Sequence, residues 1–181
     1  MVNRLLANIR NRIVNWALWL SFKRGKVSEL SLRHCWDGVK SCMVCWPGEG
    51  LDITAADIIL SRLRERFPQA VLTILAMPGV GASPPPGLNI HIVQVDRKSI
   101  NFLGLPLRRL KDEVLDIRAD VAVDLSSEYN PLSAYLCQIS RARISVAFAD
   151  PQGDLAYNYQ FAPHPSREGL DRYRALARYI G

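Results

Sequence analysis

Trp46-Pro-Gly-Glu-Gly-Leu-Asp52 places two glycines and two carboxylates where an apolar run gives way to a helical pattern. Glycines at such a turn let backbone N–H groups approach an anion at a helix N-terminus. Gly48 and Gly50 therefore qualify as ligand-loop residues, although the third glycine of a dinucleotide fingerprint is replaced by Ile53. The next strand ends Ala76-Met77-Pro78 with no acid to hold a ribose, so no nicotinamide or flavin cofactor is expected. Asp52 is the candidate general base of this loop. Its commoner role is structural: Asp52 or Thr54 can cap the helix, with Asp57 completing a capping box.

A second polar loop, Asp124-Leu-Ser-Ser-Glu-Tyr-Asn130-Pro131, follows another apolar run. Ser126, Ser127 and Asn130 are candidate contacts for a sugar or phosphate. Asn130 followed by Pro131 is also the signature of a helix N-cap and first helical residue. Cys42-Met-Val-Cys45 has the spacing of a metal pair, with His34 and Cys35 near. In a strand, however, positions three apart face opposite ways, so no metal site is expected. His91, inside a strand pattern, and His164, between prolines, read as structural, and no G-x-S-x-G elbow is present for hydrolase chemistry.

The elements that must position these loops alternate in type. Strands are predicted at 39–45, 70–76, 89–95, 120–125 and 143–148, as continuous Val/Ile/Leu-rich runs suited to burial on both faces. Helices are predicted at 54–66, 106–117, 131–139 and 166–180, and the proline-rich stretch 78–87 suits neither. This alternation predicts an α/β fold, a single Rossmann-like domain over 39–181 with a mainly parallel, doubly wound sheet and ligands at the carboxyl ends of the strands.

Ahead of it, residues 26–38 read as a linker and residues 1–25 as a basic amphipathic helix. Leu5, Ile9, Ile13, Trp16 and Leu20 form an apolar stripe, Trp19 and Phe22 extend it, and Gly25 ends it. Residues 1–40 carry eight Lys/Arg, including Arg4, Arg10 and Arg12, against two acids; the other fifteen bases and fifteen acids cancel. The whole net charge of +6 thus sits at this end. Such confinement, without a recognition motif, argues against nucleic-acid binding. The apolar run 13–22 is shorter than a bilayer span and lacks a small-residue cleavage site. It suits an interfacial helix on an anionic membrane, or equally a helix packed on its own sheet or on a protein partner. Four cysteines in 181 residues suit a reduced compartment, so the chain is expected in the cytoplasm, peripheral to the membrane.

In order and spacing, residues 39–181 resemble the N-terminal half of family 9 glycosyltransferases, the ADP-heptose:lipopolysaccharide heptosyltransferase group. The resemblance runs through Cys42–Cys45, Gly48-Glu-Gly-Leu-Asp52, Leu63-Arg-Glu-Arg-Phe67-Pro68 and Val71–Leu75. It continues in Asp120-Val-Ala-Val-Asp124-Leu, Ser140–Phe148 and the closing Arg172–Gly181. It implies that Asp52 matches the family's proposed catalytic base, with Leu51 where the family has glycine. It also implies a second Rossmann-like domain that holds the sugar nucleotide. Positioning both substrates supplies much of a transferase's rate, so this half is expected to act as a non-catalytic binding or accessory subunit with a protein partner. The alternative is the acceptor-binding half of a split transferase acting on lipopolysaccharide or a related glycan.

Overall fold

In the computed structural model, residues 36–47, 53–78, 90–154, 156–165 and 168–180 are described. The expected N-terminal helix, with Arg4, Arg10, Arg12, Trp16, Trp19, Leu20 and Phe22, lies outside them. So do most of the 26–38 linker and Gly48, Gly50 and Asp52.

The described chain runs β1 (Ser41–Trp46), α1 (Ile53–Arg66), β2 (Val71–Ala76), β3 (Ile90–Gln94), α2 (Arg108–Asp116), β4 (Val121–Asp124), α3 (Pro131–Ile139), β5 (Ile144–Phe148), β6 (Tyr159–Phe161) and α4 (Leu170–Ile180). All six strands are parallel, in the order β3-β2-β1-β4-β5-β6. The chain is thus a doubly wound α/β domain. The direction of winding reverses between β1 and β4, where Cys45 pairs with Asp124.

The continuous apolar runs form central strands because helices cover both faces. Every residue of β4 and β5 is buried. On one face Ile59, Leu60 and Leu63 of α1 and Leu176 and Ile180 of α4 pack on Cys42, Val44, Ile74, Val121, Val123 and Ile144. On the other, Leu110 and Val114 of α2 and Leu136 and Cys137 of α3 pack on Met43, Cys45, Leu75 and Ala122. Alternate residues of β1 thus feed separate cores, as the period of two requires. At the end of the expected linker, Trp36 stacks on Phe67 at a centroid distance of 6.0 Å and packs against the first core.

Two helix starts and one additional strand depart most from the sequence expectation. The helix expected from 106 starts at Arg108, because Ile100 and Pro106 pair in an antiparallel bridge and Leu107 N–H bonds to Ser99 O. The helix expected from 166 starts at Leu170, after Gly169 takes a φ of 50°. The edge strand β6 has no counterpart in the expectation; it is three residues long and pairs along β5. No described helix is long and apolar enough to cross a membrane.

Candidate functional site

Parallel pairing of β1 with β4 makes the chain leave both strands at the same sheet edge, at the switch point where doubly wound folds hold ligands. The described chain leaves β1 through Pro47 and resumes at Ile53 in α1, and Gly48, Gly50 and Asp52 between them lie outside the described residues. Thr54 falls within the first turn of α1. Asp57, expected in a capping box, has its Oδ1 buried without a hydrogen-bond partner.

The loop after β4 is built around Asp124, whose role the sequence did not reveal. Asp124 is 2% exposed. Its Oδ1 accepts from the Ser126 backbone N–H at 2.9 Å, and its Oδ2 accepts from the Tyr157 hydroxyl at 2.5 Å. Burial pushes its carboxyl above the ordinary carboxylate range, and these hydrogen bonds offset part of that push. Burial and the Asp124 charge together drive the Tyr157 hydroxyl well above the usual tyrosine range. The pair is a structural brace. Both groups face inward, and the hollow they line with Ser126, Ser127 and Asp150 holds only about 10 Å³.

Of the expected contacts, Ser126 is buried and Ser127 is exposed at the edge, next to exposed Glu128. The Ser127 carbonyl accepts from the Arg172 guanidinium at 3.3 Å, and Tyr173 donates its hydroxyl to the Leu125 carbonyl at 2.9 Å. Helix α4 thereby clamps the start of the loop, with Arg172 also lying over the Phe148 ring at 4.6 Å. At the loop's end Asn130 uses its Oδ1 to cap α3, accepting from Leu132 N–H at 3.0 Å and Ser133 N–H at 3.2 Å. The surface left for a ligand is the rim formed by Ser127, Glu128 and half-buried Tyr129. Tyr157 and Arg172 were missed because their partners lie 33 and 45 residues away. The one local signal was the carboxylate ending the apolar run Val121-Ala-Val-Asp124.

Cys42 and Cys45 do diverge. Cys42 lies in the first core, where burial pushes its thiol up to about 12. Cys45 lies in the second, with its sulfur 3.6 Å from that of Cys137 on α3. Among the described residues no three His, Cys, Asp or Glu side chains gather as metal ligands. His91 lies far from the switch point in the chain's layout. It lines an open groove of about 830 Å³ with Ser41, Thr73, Val93 and α2 residues such as Arg109 and Asp112. That groove is far roomier than the hollow by Asp124, yet it reaches Ser41 and Val71 at the amino ends of β1 and β2. Doubly wound folds place their ligands at the opposite edge, so the rim by Ser127 remains the better candidate site.

No protein-family profile matches the sequence, and no curated protein is similar to it. Among solved structures, the crystal structure of a family 9 glycosyl transferase from Veillonella parvula DSM 2008 is similar, with a TM-score of 0.56 at 18% identity. The match covers 78% of this chain and 41% of that one, so this chain spans less than half of its structural neighbour. The likeness is one of fold: a Rossmann-like α/β domain as found in a family 9 glycosyltransferase.

Proposed function

We propose that this chain is a glycosyltransferase-type binding domain, serving as an accessory subunit of a membrane-associated assembly rather than as a catalyst on its own. The observation that carries the reading is the fate of Asp124. The buried carboxylate at the switch point is committed to Tyr157 and Ser126 N–H, so it shapes the loop instead of meeting a substrate. The rim of exposed Ser127 and Glu128 and half-buried Tyr129 then supplies polar contacts for a glycan, with no free carboxylate base placed beside it among the described residues but Glu128. Residues 1–25, carrying the positive charge and Trp16 and Trp19, dock the domain on the membrane surface or on its partner. The expected setting is the cytoplasmic face of the membrane.

The fold likeness to a family 9 transferase favours a second reading, the acceptor-binding half of a split enzyme. In that reading Asp52 is the base and a partner polypeptide supplies the sugar nucleotide.

Backbone amide shifts on addition of lipopolysaccharide-core oligosaccharides or of nucleoside diphosphate sugars test the site. Shifts gathered at 125–130 and 148–150 with the oligosaccharide are the expected result. Shifts confined to the groove at Thr73 and His91 would overturn the placement, and tight binding of the nucleotide sugar alone would overturn the glycan assignment.

A further inference from the structure

The loop between β3 and α2 carries Phe102 at 92% exposure, an unusual position for a phenylalanine. The exposure does not come from a slack chain. Asn101 Oδ1 accepts from the N–H groups of Leu103 and Leu105, both at 3.0 Å, and Gly104 N–H bonds to Asn101 O at 2.9 Å. Gly104 takes a φ of 83°, which a side chain disfavours, and so turns the tip sharply. Ile100 and Leu105 pack inward against the second core, and Ile100 bridges Pro106 at the base of the loop. A rigid frame therefore holds one aromatic ring out in water, with exposed Leu107 five residues on.

Cations flank this tip. Arg97 and Lys98 precede it and Arg108 and Arg109 follow it, all exposed; Asp96 opposes them within 96–109, and Arg108 pairs with exposed Asp112 of α2 at 3.6 Å. An exposed aromatic ring flanked in sequence by exposed cations matches a bilayer, in which apolar chains lie beneath anionic headgroups. The topology puts the loop beyond the carboxyl end of β3, on the same sheet edge as the rim at Ser127.

From the exposed ring, the braced loop and the flanking cations, we infer that the 96–109 loop is a lipid-contact element that inserts Phe102 into an anionic phospholipid surface. The inference concerns the folded domain and is independent of the role proposed for residues 1–25. It turns the candidate site's edge toward the membrane, where a lipid-borne glycan would be presented.

The test uses the full chain and vesicles of phosphatidylcholine, with or without phosphatidylglycerol. Phe102→Ala should lower partitioning onto the anionic vesicles roughly tenfold, from the apolar area no longer buried. Arg108→Gln and Arg109→Gln should each lower it about fivefold in low salt. Phe102→Trp, read as the emission added over the wild-type chain, should shift to the blue and be quenched by brominated acyl chains on anionic vesicles only. Unchanged partitioning of the alanine variant, or added emission indifferent to vesicles, would overturn the inference; equal insertion into neutral vesicles would overturn the role of the flanking cations. Failure of the N-terminal anchor would show instead in Trp16→Ala with Trp19→Ala, and leaves the Phe102 signal in place.

Discussion

The Tyr157 hydroxyl donates to Asp124 Oδ2, tying the segment just before β6 to the last residue of β4. Through this bond the edge strand, which has only three residues of its own, is fastened to the centre of the sheet. The same carboxylate accepts from Ser126 N–H and so fixes the first bend of the loop that faces the switch point. Tyr157→Phe removes one of these donors and leaves Asp124 buried. The expected cost is about 1–3 kcal/mol of stability, measured by denaturant unfolding.

Asp124→Asn separates charge from shape. Because burial holds the folded carboxyl above its ordinary range, the fold favours the protonated form. Asp124's contribution is complete below about pH 4, where an unfolded-chain aspartate titrates. It declines as pH rises toward the raised folded value. Asparagine cannot ionise, so the variant should lose this decline and gain on the wild type as pH rises from 4 toward neutrality. A pH series of unfolding midpoints reads it directly. A wild-type stability that rises over that range, with the variant falling behind, would mean that Asp124 is held as a stabilised carboxylate.

Asn130→Ala removes the acceptor of Leu132 N–H and Ser133 N–H. Loss of such a cap typically costs about 1 kcal/mol. Since α3 supplies Leu136 and Cys137 to the second core, the loss should appear in global unfolding rather than as local fraying.

Much of this architecture could be read in the sequence because burial on both faces leaves a simple record. The runs at 41–46, 71–76, 121–124 and 144–148 are apolar at all but one position each, and a parallel sheet is the arrangement that hides them. Asn130-Pro131 marked the start of α3 at its first residue, because a cap is chemistry between near neighbours. Tyr159-Gln-Phe161 left no such record: three half-buried residues are too few to stand out as a run or an alternation. The braces of the site were illegible for a different reason. Tyr157 with Asp124, and Arg172 with Ser127, meet only after the sheet has formed. The expectation therefore named Ser126, Ser127 and Asn130 by their place in a loop, and passed over the acid that organises that loop.

The diverging cysteines make a further prediction. Cys42, Cys45 and Cys137 are buried, and burial raises the thiol of Cys42 to about 12. Thiolate is the reactive form, so in the native protein all three should resist alkylation and react at the rate of global unfolding. Peptide-level mass spectrometry after timed iodoacetamide exposure distinguishes them from Cys35. Rapid native labelling of Cys45 or Cys137 would mean that α3 opens from the sheet on its own.

The central claim, that this chain binds through a transferase-type edge without turning over, is tested most directly by sugar transfer. The purified chain is incubated with radiolabelled nucleotide sugars and lipopolysaccharide acceptors, alongside its Asp52→Ala variant. The account predicts no transfer above background from either protein. Turnover by the wild-type chain that Asp52→Ala abolishes would contradict it, and would make this domain a catalyst with Asp52 as its base.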